Sequence, residues 1–412
     1  MRQNIEKQVV EPGALAPISD ALHRAVLNQS PPRLRVASAS GIMIYDNFVG
    51  AEPVWRAFEA GAQGTAFQSY DWLSVWHAQV GVKEDIQPLI VTVTRGGHVV
   101  MLAALGLEWH MGLRRIVWLG GRMADYKAPL LATDFAQFIE PGHFPALWRQ
   151  IMRVLPRHDF VQLEDQPQFV GAALNPFAEL ETQTAPDKAY VFHLPTSFEE
   201  LTHRYRPETR RIDRSKARKL AERGKVAFRI LRPGIEAVQK LDQILDQKAA
   251  QLRAQGIHSI FEDDAHRAAF RKLAMMEGER RILEIAELTL DGAFLSGSVS
   301  NIRHGHTTLL VHTYVSGAHD RLSPGRQHLL EHMKASIKAG MHAYDLSVGH
   351  APYKESFCDA PMQMFTHIQA TRSLALPLVG ATRARVALKR SIKANPSLMT
   401  LLRRMREKLA GA

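Results

Sequence analysis

Arg321-Leu322-Ser323-Pro324-Gly325-Arg326, then His328-Leu329-Leu330-Glu331-His332, then Ala343-Tyr344-Asp345-Leu346-Ser347-Val348 with Tyr353 and Lys354 is the stretch that decides the fold. Ser323 has N-cap chemistry, Pro324 suits the first helical position, and Gly325 leaves the backbone uncrowded. The spacing therefore predicts a helix whose free N–H groups face a phosphate-like anion. That helix is expected to end at Gly340. The run 343–348 reads as a short buried strand, closed by Gly349 and a turn carrying His350, Pro352, Tyr353 and Lys354. A helix start that can cradle phosphate, followed by a strand with polar residues at its end, places a nucleotide-like group beside chemistry.

Outward from this stretch the chain alternates helical and strand patterns. Helices are expected at 53–62 and 69–80, and strands at 88–94, 99–107, 115–118, 226–231, 281–290, 293–302 and 307–314. Asp291-Gly292 is a hairpin turn signal between two of these strands. The expected organisation is a disordered lead-in over 1–40, rich in Pro, Ser and Gln, a mixed α/β domain over 41–190, a second over 191–370, and a basic amphipathic tail over 371–412. Both halves open with helices and continue into a hairpin-like strand pair, which suggests a distant internal duplication.

Composition narrows the function classes. With 412 residues and 46 % apolar content, the chain is long enough for two packed cores. Its single cysteine, Cys358, excludes an intramolecular disulfide. The first residues lack a signal-peptide apolar core, and no apolar run approaches the ~18 residues of a membrane span, so a cytoplasmic protein is the expectation. The net charge of +11 is local: residues 204 to 225 hold ten Lys/Arg against three Asp/Glu, and residues 372 to 412 hold ten against one, leaving the remainder mildly acidic.

Several short motifs, in this order, resemble acyltransferases of the GNAT superfamily of the cellulose-biosynthesis type, which are related to the Fem aminoacyl transferases. They are Phe67-Gln68-Ser69-Tyr70-Asp71-Trp72 with Trp76, Asp125-Tyr126-Lys127-Ala128-Pro129-Leu130, Arg210-Arg211, residues 256–261, Leu290-Asp291-Gly292, Ser323-Pro324-Gly325, Tyr344-Asp345-Leu346 and Tyr353-Lys354. The resemblance spans roughly residues 48 to 365. It implies an α/β (α+β) fold of two tandem GNAT-like domains. It also implies acyl transfer from acyl-CoA (acetyl-CoA) as co-substrate, without metal, to an amine or hydroxyl of a cell-envelope polysaccharide, lipid or small-molecule acceptor. The segment 321–326 departs from the Arg/Gln-x-x-Gly-x-Gly/Ala spacing of ordinary GNAT enzymes. A Fem-like enzyme that takes its acyl group from aminoacyl-tRNA, and a non-catalytic basic adaptor for membrane or nucleic acid, are the competing readings. The basic segment 204–225 offers only Tyr205 for base stacking, which argues against specific nucleic-acid binding.

Acyl transfer needs a base for the acceptor's proton, donors for the oxyanion and an acid for the departing thiolate. Asp345 is the base candidate, since burial raises a carboxyl pKa toward neutrality. A structural carboxylate capping the next turn is the alternative. The resemblance adds Tyr353 as acid and Lys354 as a partner for negative charge. Donor contacts are expected from Arg321, Ser323, Gly325 and Arg326, and acceptor contacts from Trp72, Tyr126, Arg210 and Arg211. Trp72 and Trp76 stand one helical turn apart and equally suit core packing. His304, His306 and His312 alternate along a strand and are expected on one face. His328-x-x-Glu331-His332 spells a zinc-protease motif, but its further carboxylate ligand would have to be Glu407 in the basic tail. That tail either packs as an amphipathic helix or makes peripheral contact with an anionic membrane at its inner face.

Overall fold

The computed structural model describes residues 35–37, 41–358 and 361–395. The sequence 1–34 and 396–412, which includes most of the expected lead-in and the end of the tail, lies outside the described residues.

The strands are β1 (Arg35–Ala37), β2 (Ile42–Tyr45), β3 (Gln87–Arg95), β4 (His98–His110), β5 (Leu113–Trp118), β6 (Phe160–Pro167), β7 (Thr182–His193), β8 (Val226–Ile230), β9 (Leu283–Leu290), β10 (Ala293–Arg303), β11 (His306–Tyr314), β12 (Ala343–Val348) and β13 (Met362–Ala370). The main helices are α1 (Phe48–Glu59), α2 (Tyr70–Trp76), α3 (Phe144–Val154), α4 (Pro207–Ala221), α5 (Ile235–Ala254), α6 (Asp264–Ala274), α7 (Pro324–Lys338) and α8 (Leu376–Ala394). Most of the expected strands form within a residue or two. Helix α1 starts five residues earlier than its expected start, because the Asn47 side chain accepts from the Gly50 amide at 2.8 Å and caps it there. Asp291 and Gly292 both take positive φ, 49° and 81°, as a two-residue hairpin turn requires.

All thirteen strands join one sheet in the order β1-β2-β3-β4-β5-β6-β13-β7-β12-β11-β10-β9-β8, with Leu130–Leu131 beside β4. The pairing is antiparallel except at two places. β5 and β6 run parallel and pair at Arg115–Phe160 and Ile116–Val161, and β11 and β12 run parallel and pair only over 306–308 with 343–345. Each parallel pair is joined by a crossover helix, α3 in the first half and α7 in the second. The suspected duplication is thus visible in topology. The boundary expected at 190 falls inside β7, and β13, from the far end of the chain, pairs with both β6 and β7. The sheet has no break between the halves.

Beyond the short paired segments the parallel strands separate, and each half carries a wedge between diverging strand ends. One core packs α1, α2, α5 and α6 on one side of the sheet, with Trp55, Trp72 and Trp76 fully buried. A second packs α3 under the first half through Phe144, Leu147, Trp148 and Ile151. The three strand histidines do not share a face. Leu310 is an extra residue opposite Val299–Ser300, and this bulge flips the period of two. His312 consequently meets His328 of α7 at 5.5 Å, His306 lies against His342 at 4.8 Å, and His304 sits in the hairpin turn at φ 45°.

Candidate active site at the junction of the halves

The mid-strand carboxylate of β12 lies deep in the sheet. Asp345 is 3 % exposed, accepts the Tyr126 hydroxyl at 2.8 Å and accepts the Ser347 amide at 2.6 Å. Ser347 takes a left-handed φ of 63°, which turns its hydroxyl toward the first half, where it donates to Asp125. Lys354 is 7 % exposed and donates to the carbonyls of Ser347 and Val348 at 3.3 and 3.0 Å. Lys127 pairs with Asp165 at 2.8 Å, and Asp165 also has a positive φ, 55°. The segment 125–127 from one half therefore interlocks with 345–354 from the other, and the Gln68 amide holds the Tyr126 carbonyl at 2.8 Å from behind.

Burial sets the protonation of this cluster. It lifts Asp345 to about 7, against the pull of Tyr126, the Ser347 amide and Lys354, with Asp125 adding to the rise. Burial likewise raises Asp125, which the Ser347 hydroxyl and the lysines pull back. It draws Lys354 down to about 8, although both carboxylates favour its charge. Two carboxylates joined through one serine cannot both ionise cheaply, so the pair holds a proton near neutrality.

One cavity opens on the cluster, and a second is lined by Tyr353, the neighbour of Lys354. The first, about 460 Å³, occupies the wedge of the first half and is lined by Asp125, Lys127 and Asp165, by Arg115, Trp76 and Trp118, and by Val348 of β12. The indole N–H groups of Trp76 and Trp118 are buried without partners there. Gly121 permits this approach, since a Cβ on it would meet Trp76 at 3.0 Å. The second cavity, about 230 Å³, lies at the wedge of the other half between the ends of β11 and the start of α7, lined by His312, Tyr314, Ser323, Gly325, Arg326 and Tyr353. Burial pushes the Tyr353 phenol up to about 12, so it keeps its proton.

The structure sorts the expected site residues. Asp345, Tyr126 and Lys354 come together, and Tyr353, Ser323, Gly325 and Arg326 line the second cavity. Asp345 lines neither cavity, and Asp125 is the carboxylate of the pair that faces one. Ser323 is not a side-chain cap. Its φ of 53° points Oγ away from the helix, to accept from Lys216 of α4 at 2.8 Å. Arg326 is held by Asp213 at 2.8 and 2.9 Å, and burial lowers His312 to about 3 and keeps it neutral, against the opposing pull of the Gly325 backbone. Arg321 is exposed in the preceding turn and lines neither cavity. Trp72 is in the core, edge-on to Phe67 and Phe270, and cannot touch an acceptor. Arg211 is exposed and Arg210 half-buried on α4, with neither in a cavity wall, because Asp213 and Lys216 are the residues that helix turns toward α7.

Sequence reasoning missed Asp125, Ser347, Lys127, Asp165 and Lys216 as site residues. The motif Asp125-Tyr126-Lys127 was the signal for two of them. The His328/His332 pair is accounted for by packing, since His332 bridges the Tyr344 hydroxyl at 2.6 Å and Glu284 at 2.9 Å, and His328 meets Ser298 at 2.8 Å. Among the described residues no group of three or more His, Cys, Asp or Glu is placed to hold a metal ion.

Residues 207–355, from α4 through the Tyr353-Lys354 turn, match the acetyltransferase (GNAT) domain family. Two solved structures share the fold over most of their length. FemX is similar at 12 % identity and a TM-score of 0.52, covering 77 % of this chain and 93 % of that one. The C-terminal domain of a putative lysylphosphatidylglycerol synthetase from Agrobacterium fabrum is similar at 11 % identity and a TM-score of 0.50, covering 82 % of this chain and 96 % of that one. No curated protein sequence matches. These likenesses show a shared fold, of which the part over 207–355 matches the GNAT domain.

Proposed function

We propose that the protein is an acyltransferase of the cellulose-biosynthesis type, moving an acyl group from acyl-CoA to an amine or hydroxyl of a polysaccharide, lipid or small-molecule acceptor. The observation that carries this reading is the buried Asp125–Ser347–Asp345 pair, whose Asp125 faces the cavity of the first half. The acceptor enters the cavity of the first half, where five carboxylates outnumber three cations, an environment suited to an amine. Asp125 takes the acceptor's proton, the freed lone pair attacks the thioester carbonyl, and the C–S bond breaks. Tyr353 gives its proton to the leaving thiolate. Asp345, behind Asp125, sets its proton affinity, and Lys354 fixes the end of β12 beside both carboxylates. The donor's phosphates meet Lys216 and Ser323 at the start of α7.

A second reading is supported by the same helix start. Arg326 is already engaged by Asp213, which leaves Lys216 as the cation there. Aminoacyl-tRNA, whose reactive ester lies far from most of its phosphates, makes less demand on that end, and Arg211 and Arg214 are exposed on α4 to meet a polyanion. Calorimetric titration with acetyl-CoA, longer acyl-CoAs, free CoA and uncharged tRNA separates the two. Acyl-CoA binding weakened by Lys216→Ala is the expected result. Binding of tRNA without CoA moves the donor to the second reading.

A further inference from the structure

Strands β11 and β12 pair only over 306–308 and 343–345, so the edge of β11 past Thr308 faces an open gap. Along a strand the backbone groups of successive residues point to alternate sides. The Val315 amide donates to the Leu295 carbonyl of β10 and the Thr313 carbonyl accepts from Ser296, so the carbonyls of His312 and Tyr314 point the other way, into the gap. Side chains of α5 meet them there. Gln247 and Gln251 donate to the Tyr314 carbonyl at 3.3 and 3.0 Å, and the Lys248 ammonium donates to the His312 carbonyl at 3.2 Å.

The lysine is the odd member of that set. Neutral amides satisfy one carbonyl of the edge, whereas the other is met by a full charge on a half-buried side chain. Among the described residues Lys248 forms no ion pair and no second hydrogen bond, although an ammonium has three donors. Burial draws it below the usual lysine range, and no carboxylate pulls against that shift. A charge in such a place is costly without a counter-ion, and an edge carbonyl does not require one. The gap is also where the two faces of the sheet meet. Helix α5 covers the face of Val299 and Val311, while Ser298 points to the other face, that of α7 and the cavity at its start. The His312 ring lines that cavity, and its carbonyl holds Lys248, which reaches the gap from the α5 face. Lys248 is near enough to Lys354 to lower it further, but Lys354 has the carboxylates of Asp345 and Asp125 beside it.

We propose that the gap between β11 and β12 receives a short acyl group that ends in a carboxylate, and that Lys248 binds this carboxylate. The inference rests on the acyl-CoA reading of the donor site and names the acyl class that the site selects. A donor whose phosphates lie at the start of α7 and whose thioester lies toward the seam carries its acyl group into this gap. The adjoining cavity, about 230 Å³, suits a few carbons more than a long chain. An anionic end supplies the counter-ion that Lys248 lacks and makes a charge-assisted contact with it. An acetyl group or a saturated chain leaves the ammonium facing carbon. Dicarboxylic acyl groups such as malonyl and succinyl have the length and the charge.

Calorimetric titration of the full-length chain with malonyl-CoA, succinyl-CoA, acetyl-CoA, butyryl-CoA and free CoA tests this. Wild type is expected to bind malonyl- or succinyl-CoA roughly tenfold to a hundredfold more tightly than acetyl- and butyryl-CoA, the range for one charge-assisted contact. Lys248→Gln keeps a donor for the His312 carbonyl, as its neighbours do for Tyr314, and removes the charge. It is expected to lose that preference and to bind acetyl-CoA as wild type does. Lys248→Met, which keeps the length of the side chain, is expected to behave alike, and melting curves check that each variant is folded. Neutral acyl groups bound by wild type as tightly as the carboxylated ones, or more so, overturn the inference and leave the acyl-CoA reading standing. A preference that survives in the folded variants overturns the assignment to Lys248. If wild type binds no CoA compound at all, the acyl-CoA reading fails first, and this inference falls with it.

Discussion

The two crossovers of the sheet start from the same plan and end in opposite chemistry. In the first half α3 begins at Phe144, and its amide is satisfied by the Glu179 carboxylate at 3.1 Å, so the protein's own acid occupies the place an anion would take. In the second half α7 begins at Ser323 with no acidic residue in its first turn and with Lys216 at its mouth. The wedge of the first half is lined by five carboxylates and three cations, while the wedge of the second carries Ser323, Arg326, Tyr353, a neutral histidine and one carboxylate, Asp320. The repeated plan thus yields one wedge with an excess of acid and one without it, with the Asp125–Ser347–Asp345 cluster at their seam.

The strongest way to break this division of labour is at the seam. Asp125→Asn keeps the Ser347 contact through its amide oxygen but removes the base that faces the first cavity. Turnover is expected to fall about a hundredfold to ten-thousandfold, the usual range for a general base, with an unchanged melting curve. A variant within a few-fold of wild type would transfer the role to Asp345.

The donor half is next. Lys216→Ala removes a charge-assisted partner of about 1.5–3 kcal/mol. Donor KM is expected to rise roughly tenfold to a hundredfold with kcat little changed. The same variant should leave acceptor KM alone, and a rise there instead would mean the wedges are assigned the wrong way round.

Asp345→Asn sharpens the seam by pH. Its carboxyl ionises at about 7 in the folded chain, far above an exposed aspartate, so the folded state holds its proton longer than the unfolded one. The stabilisation it gives is therefore full at acid pH and is lost as pH rises through about 7. The variant, which cannot ionise, is expected to show a flatter melting temperature between pH 5 and 8 and to gain on wild type at the alkaline end. Removing the neighbouring negative charge also lets Asp125 ionise more easily, so the rise of the rate with pH should move to lower pH. Melting temperature and rate measured across that interval check both signs.

Much of this architecture was legible in the sequence. The strands from 87 to 118 and from 283 to 314 announce themselves by apolar periodicity, Asp291-Gly292 marks its turn, and Asp345 reads as a buried carboxylate because the strand around it is apolar. The rest depends on contacts between distant residues. Asp125 lies in an irregular segment with no period to read, and 222 residues separate it from the serine that binds it. Ser323 looks like a cap until Lys216, 107 residues earlier, claims its hydroxyl. A single inserted residue, Leu310, separates histidines that strict alternation puts together. Trp72 and Trp76 share a pattern, yet only Trp76 reaches a cavity, because α6 covers the other with Phe270.

The smallest effect returns to the closed helix of the first half. Glu179 is exposed, and among the described residues its side chain accepts from the Phe144 amide. Glu179→Gln keeps an acceptor but loses the charge at the positive end of α3, costing about 0.3–1 kcal/mol. Melting should fall by a degree or two, and activity should hold. Glu179→Arg goes further, leaving the amide open beside a cation as α7 is beside Lys216. If the two helix starts differ in function only by who supplies the anion, that variant should gain weak affinity for inorganic phosphate, measurable as phosphate-dependent stabilisation that wild type lacks at this helix. A variant with no such gain would show that the α7 end owes its selectivity to the surrounding wedge more than to the bare helix terminus.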